Sequence, residues 1–239
     1  MCVVLSIAVA LLFFSAETQC NQSDKQQNSD TEVLDVEAST DSALPNKFRE
    51  FWGQNICALR LRTTNAGVTP CTWLRLEHCN ISGVTLSECI YLREKKYGRP
   101  VNLRKPWNFV GNDSMMAKDA DGNETSQILF QNDEKNCAVV RNEYVMIVYG
   151  EEWRQEVEKE CEKEPSSERC RNGRCTRDSY SEDTYFCIYT ISYELLVSEE
   201  KKTHVPEDCT LFYNGTILDI PETTNSDVEN CTCKCDGGP

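Results

Sequence analysis

Tyr185-Phe-Cys-Ile-Tyr-Thr-Ile-Ser-Tyr-Glu-Leu-Leu-Val197 is a period-two sequence. Tyr185, Cys187, Tyr189, Ile191, Tyr193, Leu195 and Val197 share one face, and Phe186, Ile188, Thr190, Ser192, Glu194 and Leu196 share the other. Side chains alternate across a strand, and β-branched and aromatic residues fill this one, so the stretch reads as a long β-strand. Both faces carry apolar residues, and alternation alone does not choose which looks inward.

The same period recurs toward the N-terminus. Cys137-Ala-Val-Val140 leads into the apolar Tyr144–Tyr149, and Thr125–Phe130 and Val101–Val110 are weaker strands. Val84, Leu86, Glu88, Ile90 and Leu92 alternate after an Asn80-Ile-Ser-Gly83 turn, Thr72, Leu74 and Leu76 alternate before it, and Cys57, Leu59 and Leu61 share a face in Ile56–Arg62. Short strands broken by Gly, Asn and Asp clusters predict an antiparallel sheet closed into a barrel or sandwich. Two helices interrupt the pattern. Asn46 can cap a short one carrying Phe48, Phe51 and Trp52 on one side, and Glu151–Cys161 places Trp153, Val157 and Cys161 on one stripe. Cys170 and Cys175 follow in a polar loop that needs a disulfide staple.

The ends of the chain place it outside the cytosol. Val3–Phe14 is an apolar run of signal-peptide length, followed by small and polar residues up to Cys20, although no basic residue precedes it. Residues 1–20 are therefore expected to form the removed leader, with cleavage after Cys20 or after Thr18. Residues 21–44 are acidic, lack aromatic side chains and predict a disordered tail. Fifteen cysteines in 239 residues indicate disulfides and an oxidising compartment. Sequons at Asn21, Asn80, Asn112, Asn123, Asn214 and Asn230 predict surface glycosylation. A secreted, extracellular monomer is expected.

Composition and motifs narrow the function. A net charge of −14 disfavours nucleic acid and anionic lipid as partners and favours a cationic small molecule or a basic protein, or serves solubility alone. No nucleophile elbow, phosphate loop or dinucleotide fingerprint occurs, and neither His78 nor His204 has a nucleophile signature around it, so neither catalysis nor a cofactor is expected. Cys231, Cys233 and Cys235 are spaced too closely for a zinc site, so no metal is expected.

Four features together resemble the tick salivary lipocalins, the family that includes the histamine-binding proteins. They are the aromatic helix Phe48-Arg-Glu-Phe-Trp52; the strand Leu59-Arg-Leu-Arg-Thr-Thr64 followed by Cys71; the strand Lys135-Asn-Cys-Ala-Val-Val140; and Tyr193-Glu-Leu-Leu-Val197 with its Val205-Pro-Glu-Asp-Cys209 exit. The similarity covers Asn46 to Tyr213, apart from an insertion at Gly150–Thr184. It implies a mainly β fold: an eight-stranded antiparallel lipocalin-type barrel over residues 45–215, with a short N-terminal helix and a helical, Cys-rich insertion at 150–184. A C-terminal segment, 216–239, would be stapled by disulfides. It further implies a Cys137–Cys209 bond and a bond from Cys71 to Cys231, Cys233 or Cys235.

The functions the resemblance implies are sequestration of a small host mediator, an amine or a lipid, or, as an alternative, binding of a host protein such as a complement component. The amine-binding set carries over incompletely. Glu194 keeps the ligand-contacting carboxylate, but the facing acidic and aromatic positions are Ile128 and Ser126, and the loop acid and tryptophan are Arg62 and Asn65. Glu194 could equally be a sheet-face residue paired to a lysine. Leu59, Leu61, Tyr91, Phe186, Ile188, Glu194 and Leu196 are the candidate lumen residues. If they face inward, a lipid mediator or hydrophobic amine should bind better than histamine.

Overall fold

A computed structural model describes residues 45–65, 72–92, 97–163, 175–218, 220–224 and 231, without the side chains of 90–92, 97–103, 160, 161, 223 and 224. The leader, the acidic segment 21–44, most of 216–239, and Cys71, Cys233, Asn21 and Asn230 lie outside the described residues.

The chain begins with helix α1 (Lys47–Gln54). Asn46 Oδ1 accepts from the backbone N–H of Phe48 and Arg49, and its Nδ2 donates to the carbonyls of Gly111 and Ser114, both at 2.9 Å. The cap thus satisfies two of the four free helix N–H groups and ties the helix to a neighbouring turn. Phe48, Phe51 and Trp52 are buried, as their spacing predicts.

Seven strands follow in succession: β1 (Cys57–Thr63), β2 (Thr72–Cys79), β3 (Gly83–Leu92), β4 (Tyr97–Val110), β5 (Ser114–Lys118), β6 (Gly122–Gln131) and β7 (Cys137–Tyr149). Helix α2 (Glu151–Lys163) and the short β8 (Cys175–Arg177) come before β9 (Thr184–Ser198), and α3 (Glu207–Thr216) and β10 (Thr223–Thr224) end the described chain. Each of β1 to β6 pairs with the next, β7 pairs with β9, and β9 returns to β1, all antiparallel. The result is a closed eight-stranded barrel, with β8 and β10 added to its outside edges, and it has no free barrel edge to manage. This is the lipocalin-type architecture that the resemblance implies. Strand β5, the β8 pairing and helix α3 are additions that the period-two reading did not resolve. Among the described residues, no helix is long and apolar enough to cross a membrane.

The side chains form two layers separated by the barrel wall. Phe48, Phe51 and Trp52 of α1 pack inside one end against Ala58, Leu76, Val84, Leu86, Trp107, Met115, Ile128, Ala138, Val140 and Leu196. That end is closed and filled. Outside the wall, α3 brings Cys209, Tyr213 and Ile217 onto Leu59, Leu61, Trp73, Val139, Tyr193, Leu195 and Val197, together with Cys231. A disulfide between Cys137 and Cys209, 72 residues apart in sequence, pins α3 to β7 and is the pair that the resemblance implies. Cys57, Cys79, Cys89 and Cys231 are also disulfide-bonded.

The outer layer corrects two expectations. Leu59 and Leu61 do not line the lumen; they lie under α3, because the outer face of β1 is itself a buried surface. The inward residues of β1 are Ala58, Arg60 and Thr63, with a register shift between Arg60 and Arg62. The same layer takes Tyr193, so over its C-terminal half β9 turns the Glu194 face inward, a choice that alternation had left open.

The N-terminal half of β9 behaves differently. Its pairing with β7 shifts between Tyr144 and Val145, which face Thr190 and Ile188, leaving Tyr189 as the extra residue. A bulge of one residue exchanges the two faces beyond it. Cys187 and Tyr185 therefore continue the Glu194 face, and Phe186 and Ile188 fall on the opposite one. Phe186 and Ile188 are thus corrected as lumen residues. Past the bulge, β7 and β9 form a ribbon. Helix α2 rests on it through Val157, against Val148 and Cys187, and a Cys175–Cys187 disulfide joins β8 to the ribbon.

Candidate functional site: a charged layer across the lumen

Above the filled end, the inward positions of successive strands become polar. Register places Arg60 of β1 opposite Leu196 of β9, Glu88 of β3 opposite Leu74 of β2, and Thr63 opposite Glu194. It also places Ser126 opposite Asn142, and Glu124 opposite Tyr144, on β6 and β7. Lys105 of β4 pairs with Leu86 and shares the inward face of Trp107. The polar residues of this layer come from six strands and meet only because the sheet closes.

Arg60 sits at the centre of the layer. Its Nε donates to Glu194 Oε2 at 3.0 Å and its Nη1 to Glu88 Oε1 at 2.5 Å. The Glu194 side chain is 4% exposed, Arg60 14% and Glu88 29%, so the pair deepens from the Glu88 side toward Glu194. Burial pushes the Glu194 carboxyl above the usual carboxylate range, with Arg60 and a hydrogen bond from Asn142 opposing it. Burial acts on Arg60 in the opposite sense, but the two carboxylates outweigh it and hold the guanidinium more firmly protonated. The carboxylate of Glu194 is thus occupied by the protein's own cation, an arginine where the sheet-face reading expected a lysine.

Two further groups flank this centre. Lys105 Nζ contacts Glu124 Oε2 and lies 5.2 Å from the centre of the Trp107 ring. Ser126 Oγ donates to Asn142 Oδ1 at 2.5 Å. Higher up, burial and the nearby Asp119, Asp121 and Glu124 push the phenol of Tyr144 up. The Tyr189 ring meets Tyr144 edge-on at 6.3 Å. Asp119 and Asp121 belong to the turn between β5 and β6, at the end of the barrel opposite α1.

The side chains of Glu88 and Glu124 remain 29% and 27% exposed although they point into the barrel. Glu88 and Glu124 are thus the solvent-accessible carboxylates of this layer, above the end that α1 fills. Glu88, Glu124 and Glu194 face Arg60 and Lys105, leaving an excess of negative charge among the described lumen residues.

Of the sequence-predicted site residues, Glu194 and Leu196 lie on the lumen side, Leu196 within the filled end. Tyr91 belongs to β3, but its side chain is outside the described residues. Ile128 and Ser126 also point inward, at the positions that the family pattern marks. Arg60, Glu88, Lys105, Glu124, Asn142 and Tyr144 were not among the candidates. The alternation of β3 already placed Glu88 on the face of Leu86, and that was the available signal. Among the described residues, one cluster has metal-ligand proximity, Cys137, Asp208 and Cys209, but its two sulfurs are joined to each other.

No family model and no curated protein matches the sequence. Among solved structures, the chain is similar to the crystal structure of the AM182 serotonin complex. The TM-score is 0.43 and the identity 14%, over 74% of this chain and 86% of that one.

Proposed function

We propose that this chain is a secreted binding protein of the tick salivary lipocalin type, which sequesters a small cationic host mediator of the biogenic-amine class in the upper lumen. The carrying observation is the charged layer itself. Buried and half-buried charges inside a barrel cost desolvation energy that an apolar filling would avoid, and their presence above the filled end supports the reading of a binding surface there. Glu88 and Glu124 are its accessible carboxylates, and Tyr144 offers a phenol and a ring face to a cation. Asp119 and Asp121 at the entrance favour approach of positive charge. Glu194, held by Arg60, supports the layer from below rather than touching the ligand.

The filled lower half changes the ligand ranking expected from sequence. A long acyl chain needs apolar length that Trp107, Met115, Ile128 and Leu196 already occupy. A compact amine needs only the upper space. Secretion is supported by the apolar leader, the six sequons and the disulfides, and sequestration rather than catalysis by the lack of any nucleophile signature.

Titration calorimetry with histamine, serotonin and a leukotriene tests the reading. Binding of an amine, weakened about tenfold or more by Glu88→Gln or Glu124→Gln, is expected for loss of a charge-assisted contact. Tighter binding of the leukotriene, or amine binding indifferent to both substitutions, would overturn it.

A further inference from the structure

The insertion that the barrel does not need ends in an exposed aromatic surface. Tyr149, Trp153 and Tyr180 are 65%, 64% and 96% exposed. They lie at one end of the β7–β9 ribbon. Tyr149 closes β7 opposite Thr184, Trp153 sits in the first turn of α2, and the Gly150 N–H donates to the Asp183 carbonyl at 2.7 Å. That bond holds the turn carrying Tyr180, Glu182 and Asp183 beside the start of α2.

The charge around these rings is predominantly negative; the exposed exception is Arg177, whose Nε donates to the Glu182 carbonyl at 2.9 Å. Arg154, the helix's nearest cation, is spent internally on Glu151 and Glu158 and lies 5.7 Å from the Tyr185 ring centre. Glu151 is likewise engaged, by Arg154 and by the Tyr185 hydroxyl. Glu152 and Glu156 of α2, and Glu182 and Asp183 of the turn, remain exposed. Exposed tryptophan and tyrosine rings are uncommon on a surface that needs only solubility, and their attachment to a disulfide-stapled ribbon keeps them out of the barrel's own core.

We propose that this ribbon tip is a docking surface for an arginine-rich, basic segment of another protein. Guanidinium groups stack on aromatic faces and pair with carboxylates at once, and this tip offers both within one turn of helix and one loop. The net charge of −14 steers a basic partner toward the chain. Charge also decides between occupants. A second copy would bring the same carboxylates face to face, and an anionic lipid surface would be repelled. The surface is separate from the lumen and stands whether or not an amine binds there.

The test uses the secreted, disulfide-bonded full chain at physiological salt, with fluorescently labelled nona-arginine and nona-lysine peptides as probes. Nona-arginine should bind more tightly than nona-lysine, and Trp153→Ala/Tyr180→Ala should weaken it about tenfold through loss of two stacking faces. Glu152→Gln/Glu156→Gln should weaken it severalfold and flatten its salt dependence. Asp133→Asn/Glu200→Gln, which removes the same number of exposed charges elsewhere, should change it less than about twofold. Equal losses in the control variant, or no loss on removing the rings, would overturn the proposal. So would sedimentation showing a dimer, or binding to phosphatidylcholine vesicles, that the Trp153→Ala/Tyr180→Ala variant abolishes, since these would assign the tip to a second copy or to lipid.

Discussion

Replacing Arg60 by methionine is the sharpest perturbation of the lumen layer. Methionine fills much of the volume but removes the cation that faces Glu194 and Glu88. Glu88, with 29% of its side chain exposed, can turn to water and contributes little to the loss. Glu194, at 4%, cannot. Breaking a buried ion pair from one side costs about 3–5 kcal/mol, because the remaining charge is stranded. That is a large fraction of the roughly 5–15 kcal/mol that stabilises a typical domain. The loss should depend on pH with a definite sign. Burial already pushes the Glu194 carboxyl up, and Arg60 is the main force opposing it. Without Arg60 the folded-state value rises further. A carboxyl with a raised folded value contributes stability that is fully present below its unfolded value, near pH 4, and is lost as pH rises through the folded value. The deficit of Arg60→Met relative to wild type should therefore be small near pH 4 and reach its full size at neutral pH. Guanidinium chloride unfolding followed by tryptophan fluorescence, with disulfides intact, measures it at each pH. The double variant Arg60→Met/Glu194→Gln should recover to within about 1 kcal/mol of wild type, since no charge is then stranded. A deficit below about 1 kcal/mol at pH 7 that does not change with pH would refute the reasoning, by showing that water screens the pair at this depth.

Three further substitutions separate the layers of the fold. Asn46→Ala removes the helix cap and both bonds to Gly111 and Ser114, and should cost about 2–4 kcal/mol in the same denaturation assay. Leu59→Ala should cost about 2–5 kcal/mol by opening a cavity under α3 yet leave amine affinity unchanged, and Phe186→Ala on the ribbon should likewise spare affinity; calorimetry showing a lost amine site in either variant would return these residues to the lumen.

Much of the architecture was legible as pattern. Asn46 before Phe48, Phe51 and Trp52 announced a capped amphipathic helix, and the period-two runs located most of the strands. A pattern of this kind depends only on neighbours along the chain, so one sequence carries it. The Tyr185–Val197 strand shows where that ends. Its length and type were visible, but both faces are apolar, because α3 covers one and the lumen core the other. The bulge at Tyr189 is a property of two paired strands, and it moved Phe186 and Ile188 off the Glu194 face.

The lumen layer was hidden for the same reason. Arg60, Glu88, Lys105, Glu124 and Glu194 are spread over 135 positions of sequence, the longest bonded pair, Arg60 to Glu194, spanning a separation of 134. Each alone reads as a solvated charge on a strand. Composition and local pattern therefore determined the strands, the capped helix and the acidic balance, which rest on intrinsic preferences of short segments. The tertiary structure decided which faces look inward, that Glu194 is held by Arg60, and that the insertion carries its aromatic rings outward. Those outcomes follow from barrel closure, strand register and the packing of α3, and each needs residues far apart in the chain to meet.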